Sequence, residues 1–568
     1  MLTNSAVTRS ASTRAFFLAS AGITIMILWW AQMLAFGSTM PLSDSFFYLF
    51  TALDRPAASV LLLILIGAVL IARPDWLRPV ALWLNDRVRI VAALTAATFS
   101  AGAVFVYQSH PLSMDEYSAY FQSQVFAAGH LAGQFPVRLL DTLIAPVFQN
   151  YFLAVSHTTG AVASQYWPSF ALLLTPFTWL GIPWVCNPVI SALTLLAIHR
   201  LALQLFEDRE AAGFAVLLTC ASPVFFANGI SYYSMPAHLL ANTVYALLLL
   251  QPTPRKALLA GLVGSIALTL HNPVPHLLFA LPWLCWIAWR PNTRFLILYL
   301  CAGYLPLSLL LGVGWYEFVH SLPTAGTSSA NAAHTLIENV AYTLRSTFSP
   351  PDPTVLYARL IGLAKIWVWA VPGMMILACA GAWKLRNDTR CRLLVVAALS
   401  TLLGYLLVPV DQGHGWGFRY FHSVWMVLPL LAAGVLARSR ATPEVPDRFA
   451  NDDMRAFVTA CALLCLIVGV GHRAVQIHEF IGEELNDVPP YGINERQIVF
   501  ISPNFFYTKD LVQNDPWLRG NVIRMISHGN AADASLMQAC FPQMRRVYDS
   551  PHGSVWVDRS GGVAPGQS

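Results

Sequence analysis

Arg87-Val-Arg-Ile-Val-Ala-Ala-Leu-Thr-Ala-Ala-Thr-Phe-Ser-Ala-Gly-Ala-Val-Phe-Val-Tyr-Gln-Ser-His-Pro-Leu-Ser-Met-Asp-Glu-Tyr117 is the stretch that decides the fold. Arginines stand at one end, an apolar run fills residues 90–108, and the adjacent acids Asp115 and Glu116 follow the other end. About 20 apolar residues in a helix cross the ~30 Å hydrocarbon of a bilayer. Basic residues stay on the cytoplasmic side, so the acids emerge outside. Two carboxylates beside hydrocarbon are costly to keep without a partner or a task.

The rest of the 568 residues repeats this pattern: 56% are hydrophobic, 11% are charged, and the mean hydropathy is +0.55. A soluble domain carries roughly 25% charged residues, so the chain reads as an all-α polytopic membrane protein. Further apolar stretches run over 15–35, 57–72, 188–206, 211–228, 238–251, 257–270, 276–289, 295–313, 361–381, 393–410, 421–437 and 456–471. With 90–108 that predicts thirteen spans, the N-terminus inside as an uncleaved anchor and the C-terminus outside. On this count 20 of the 34 Lys and Arg residues fall on the cytoplasmic side, in the shorter loops. The outward loops keep only Arg55, Arg138, Arg345, Arg359, Lys365 and Arg419. No acid falls inside a span. The net charge of +5 is the excess that orientation requires and does not point to nucleic acid. Segment 166–186 is apolar enough to cross, but the parity of the loops places it along the outer face, and Pro168, Pro176 and Pro183 interrupt a regular helix there.

Four regions follow: 1–108, N-terminal spans; 109–187, an outward loop with the acids and surface helices; 188–471, a membrane core with a second outward loop at 314–360; and 472–568, a small extracytoplasmic α/β module. In the module, strands are expected at 498–502 and 522–526, helices at 506–512 and 531–540, and a hairpin around Pro551-His-Gly553. The nine cysteines are scattered without a CxxC pair, and Cys540, alone in the module, cannot form a disulfide within it.

Chemistry concentrates on the outward side. Of the eleven histidines before the module, only His199 is cytoplasmic; His110, His130, His157, His238, His271, His276, His320, His334, His414 and His422 lie in outward loops or span mouths. Each alone is an ordinary interfacial residue; together they fit a polar cavity opening outward. Asp115-Glu116 suits a general base with a second carboxylate to orient the reacting group. With a histidine the pair could instead hold a divalent cation, and either acid could simply cap a helix. Asp411-Gln-Gly-His-Gly-Trp-Gly-Phe-Arg-Tyr420 combines three glycines with Arg419, whose guanidinium suits two phosphate oxygens. Its alternative is an anchor among headgroups. The turns holding His238 and His271 either orient substrate or cap helices.

In order along the chain, several of these stretches resemble the GT-C class of polyprenyl-phosphate-sugar-dependent membrane glycosyltransferases, such as the protein O-mannosyltransferases and the lipid A aminoarabinose transferases. Met114-Asp-Glu-Tyr-Ser-Ala-Tyr-Phe-Gln122 opens the first outward loop, and Gln165-Tyr-Trp-Pro-Ser-Phe-Ala-Leu-Leu-Leu-Thr-Pro-Phe177 is similar to the family's Tyr-Pro-Pro-Gly leucine-rich segment. Ala202-Leu-Gln-Leu-Phe-Glu-Asp-Arg209 is similar to its Leu-Phe-Gly-Arg stretch, and Trp416-Gly-Phe-Arg-Tyr420 to its late Gly-x-Arg-Tyr. The chain departs at Trp167-Pro-Ser169, and by offering His238 where many relatives carry a second acid.

The resemblance implies an inverting transfer of a sugar from a polyprenyl-phosphate donor to an acceptor hydroxyl on the outer face of the cytoplasmic membrane. The expected site has Asp115 and Glu116 as catalytic acids and Arg419, His414 and Arg138 on the donor phosphate. Tyr117, His238, His271 and Tyr420 are expected on substrate. No metal site and no cofactor are required, a divalent cation being the one addition the acids allow. The acceptor is a lipid, a glycan or a protein, and the module is expected to bind it or cover the cavity. The alternative from another class is a transporter or flippase of lipid-linked glycan, for which acids inside spans and inverted repeats are the expected marks.

Overall fold

The computed structural model describes residues 9–37, 42–74, 79–322, 348–437, 451–490, 492 and 495–558. Most of the expected second outward loop, with His334 and Arg345, and four of the arginines expected on the cytoplasmic side, Arg78, Arg438, Arg440 and Arg448, lie outside the described residues.

Long Leu, Ala, Val and Ile runs form the expected helices, because in hydrocarbon only an element that satisfies its own backbone can span. Among the described residues seven helices are long and apolar enough to cross a membrane: Ala11–Phe36, Asp44–Ile71, Val88–Phe105, Pro183–Phe206, Leu296–Ser321, Thr389–Leu407 and Asp452–Asn486. Arg209–Cys220 and Pro223–Gly229 form a pair bent by 63°, with Pro223 opening the second helix where its missing N–H costs nothing. The chain is a multi-pass helical membrane protein.

The count of thirteen regular spans is not reproduced. The apolar stretch 361–381 is two helices, Pro353–Val368 and Met374–Lys384. Pro372 has no N–H to give, and Gly373 takes φ +77° with Phe16 packed where a Cβ would stand. Segment 166–186 contains the 11-residue helix Ser169–Trp179, roughly 16 Å long and too short to cross. It docks through Trp167 and Ser169, whose amides donate to the carbonyls of His271 and Thr269.

Charge does lie inside the helical body, against expectation. Asp54, 1% exposed in the Asp44–Ile71 helix, accepts from Lys365 at 2.6 Å, Arg473 at 2.7 Å and the Trp369 indole at 2.6 Å. Lys365 is therefore no loop residue but a buried cation in the Pro353–Val368 helix. Such a cluster persists only because every member is paired, and it locks three helices in register.

The first long loop contains the Met114–Ala127 helix and a three-stranded antiparallel sheet, ordered Gly133–Gln134, Ala161–Ser164, Leu153–Val155. The tail has a four-stranded sheet ordered Val522–Ile526, Gln497–Ile501, Gly553–Asp558, Met544–Ser550, parallel only between the first two, which are joined by residues 502–521; the helix Asn530–Cys540 carries the chain from Val522–Ile526 to Met544–Ser550 at the other edge. The expected helix at 506–512 is instead a series of turns with Tyr507 at φ +58°. The module is not separate in packing. Met114, Tyr117, Phe121, Val125 and Leu140 share one apolar core with Ile498, Phe500, Ile523, Met525 and Met537. The Asp452–Asn486 helix also runs straight through the expected boundary at 472.

Candidate active site

Ser113 stands in extended conformation as the N-cap of the Met114–Ala127 helix and completes a capping box with Glu116. That box separates the fates of the two acids. Glu116 is fully buried and accepts from the Tyr107 hydroxyl at 2.8 Å and from the amides of Leu112 at 3.0 Å, Ser113 at 3.3 Å and Tyr232 at 2.9 Å. Burial raises its carboxyl to about 7 despite those four bonds. With its oxygens used by the protein, Glu116 holds the 107–116 turn against the 228–234 turn. It is the cap, not the expected group that orients substrate.

Asp115, the next residue on the helix surface, faces the opposite partner set. One carboxylate oxygen accepts the Tyr166 hydroxyl and the other accepts Arg419 Nη1 at 2.8 Å. Burial would raise its pKa, but the charge of Arg419, His271 and the two hydrogen bonds outweigh it, and the net displacement is downward. Asp115 is therefore a carboxylate at neutral pH, 19% exposed in its side chain.

Arg419 opens a one-turn helix, Arg419–His422, and its guanidinium lies inside the loop that precedes it. The same Nη1 donates to the Gln412 carbonyl at 3.1 Å and the His414 carbonyl at 2.6 Å, and the group sits 4.8 Å over the Tyr233 ring. Gly413, Gly415 and Gly417 all take positive φ, and a Cβ on Gly415 would stand 2.0 Å from Arg419 Cδ. The glycines thus let the loop wrap the arginine. Gln412 completes the wrap, accepting the Arg419 amide at 2.9 Å and donating to Gly417. Asp411 ties the loop to Ser43. Nη2 and Nε of Arg419 make no hydrogen bond to a described residue, leaving that edge open to an anion.

His271 joins this pair, its ring 3.8 Å from that of Tyr166; burial, against the pull of Asp115, holds its pKa down to about 4. Tyr151, 65% exposed, lies within reach of the charges of Asp115 and Arg419. His238 is buried in the Met235–Leu249 helix, close to His271, His276 and His422, with neither ring nitrogen hydrogen-bonded.

The other expected residues stand elsewhere. Tyr117 turns into the core shared with the tail, its hydroxyl bonded to Asn514. The His414 ring is enclosed by Tyr233, Trp416, Phe480 and Tyr507, and only its backbone carbonyl reaches Arg419. Tyr420 stacks on Tyr405 at 4.2 Å and donates to the Asp411 carbonyl. Arg138 is exposed on a short 3₁₀ turn, with no hydrogen bond or ion pair to the site. Sequence reasoning missed Tyr166, Tyr233 and Gln412. All three lie in stretches singled out for other reasons, Gln412 within the glycine-rich one, and for the two tyrosines an aromatic beside a conspicuous motif was the only signal.

No family model and no curated protein matches the chain. Among solved structures it is similar to ArnT from Cupriavidus metallidurans bound to undecaprenyl phosphate, with 11% identity over 84% of this chain and 99% of that one, at a TM-score of 0.49. The apo state of ArnT is similar at 11% identity over 82% and 97%, with a TM-score of 0.46. Neither likeness assigns a role to any residue of this chain.

Proposed function

We propose that the chain is a GT-C type inverting glycosyltransferase that moves a sugar from a polyprenyl-phosphate donor to an acceptor hydroxyl on the outer face of the cytoplasmic membrane. The observation that carries this reading is the Asp115–Arg419 pair, a carboxylate held ionised beside a guanidinium with one edge unused. The ordered motifs over about 100–440 and the basic cytoplasmic loops support it. On this topology the N-terminus is inside and the C-terminus outside.

In the reaction the acceptor oxygen attacks the anomeric carbon from the face opposite the phosphate. Its proton passes to Asp115, which has lone pairs left beside its two bonds. The anomeric C–O bond breaks, and the electron pair leaves with the polyprenyl phosphate. Arg419 offsets the charge that grows on the departing oxygens, and a fixed cation does so without reorganising. Tyr166 holds the carboxylate in place, and His271 and His238 offer neutral imidazoles to sugar hydroxyls. The steps are assigned to the chain's own groups.

The transporter reading gains one observation, since Asp54 is an acid inside a helix able to span. Its carboxylate is already bound to two cations and an indole, an arrangement that favours a fixed brace over a moving site. The test is incubation of membranes with radiolabelled polyprenyl-phosphate sugars, comparing wild type with Asp115→Asn. Label passing to an acceptor in wild type and falling ~10²–10⁴-fold in the variant is expected. Label that crosses the membrane still attached to its lipid would make the chain a transporter.

A further inference from the structure

Residues 507–516 of the tail pass back across the start of the Met114–Ala127 helix, and their bonds fall on the residues flanking Asp115. Asp510 Oδ1 accepts the Met114 amide at 2.7 Å, and Gln513 Nε2 donates to the Pro111 carbonyl at 2.7 Å. Asn514 exchanges two bonds with the Tyr117 hydroxyl, its amide donating at 2.9 Å and its carbonyl accepting at 2.5 Å. Two residues further the Pro516 carbonyl accepts the Gln134 amide at 2.9 Å. The Met114 amide belongs to the first turn, where a helix leaves its own donors unused, and a carboxylate is the acceptor that the N-terminal dipole favours. Glu116 grips the same turn from the other side. Asp115 is thus held on a turn clamped between the membrane helices and the tail.

We infer that Asp510 is a positioning residue. The tail strap fixes the first turn of the Met114–Ala127 helix so that Asp115 meets Arg419 and Tyr166 in one geometry. This rests on the reading of Asp115 as the proton acceptor. Asp510 makes no hydrogen bond to Asp115 or Arg419 and acts through the Met114 amide. Burial lifts its carboxyl to about 7 against the Met114 bond, with the charge of Asp115 adding to the rise, so the two acids are close enough to sense each other. A displacement of about 1 Å at a reacting group costs on the order of 10²-fold in rate, which makes a clamp around one turn consequential.

The experiment uses full-length protein in detergent and two variants, Asp510→Ala and Asp510→Asn. Hydrogen–deuterium exchange is followed for the peptide covering 110–118, and transfer kinetics are measured with a radiolabelled polyprenyl-phosphate sugar. Alanine is expected to raise exchange in that peptide and lower kcat ~10²-fold, with donor KM changed by about twofold or less. Asparagine retains a side-chain oxygen for the Met114 amide, so it should restore both protection and most of kcat. Unchanged exchange or unchanged kcat in the alanine variant overturns the inference, and so does an asparagine variant as impaired as alanine. If alanine raises exchange throughout the protein, Tyr117→Phe, which removes the Asn514 bonds, decides by the same readouts. A wild type that transfers no sugar from any donor refutes the glycosyltransferase reading, while the exchange measurements still decide whether the strap holds the turn.

Discussion

Replacing Arg419 with glutamine removes the cation that sets the ionisation of Asp115 and keeps a polar side chain in the loop. Burial pushes the Asp115 carboxyl upward, and Arg419 is the largest influence pulling it down. The sign follows directly. A group with a depressed folded-state pKa contributes stability above its unfolded pKa and loses it as the pH falls through the folded one. Without Arg419 that lower limit moves up. A neighbouring arginine accounts for about 1–3 pH units, each worth about 1.4 kcal/mol. Glu116, buried nearby without a cation bound to it and raised to about 7, shows how this environment treats an uncompensated carboxyl. The assay is kcat at saturating donor from pH 4 to 9 on membranes carrying matched amounts of enzyme. The acid limb of the Arg419→Gln profile should shift upward by about 1–3 units, and the variant should unfold at a higher pH on acidification. An acid limb that stays in place while turnover falls would refute the claim that Arg419 controls the base.

Arg419→Lys should keep the charge but lose the fork that reaches two carbonyls, Asp115 and an anion together, so donor affinity falls; wild-type affinity would make its role plain electrostatics. Asp54→Asn leaves Lys365 and Arg473 buried without a counter-ion and should cost about 3–5 kcal/mol, seen as a lower melting temperature in detergent; an unchanged melting temperature would deny the cluster its bracing role. Reporter fusions after residues 256 and 480 should report opposite compartments, and agreement between them would overturn the proposed orientation. Deleting 480–568 removes Ile498, Phe500, Ile523, Met525 and Met537 from a core shared with the first loop, so donor binding should be lost with the tail; retained donor binding would show that the loop folds without it.

The sequence by itself determined the helical membrane body, because apolar runs and the charges at their ends are local properties that hydrocarbon reads directly. It also marked Asp115, Arg419 and His271, since charged and polar residues at span mouths stand out against an apolar background. Two acids side by side could not be told apart in this way. Which one is the cap depends on Tyr107 and Tyr232 reaching Glu116, contacts made by the folding of distant turns. The glycines of the 413–417 loop announced a close approach, but only the fold revealed that the approaching group is Arg419 itself. The pairing of Asp54 with Lys365 and Arg473 arises from helices hundreds of residues apart. Asp510 is the extreme case. Its contact with Met114 joins positions 396 residues apart, and periodicity or spacing carries no information over that distance, because the bond exists only once two sheets and a helix have closed around one core.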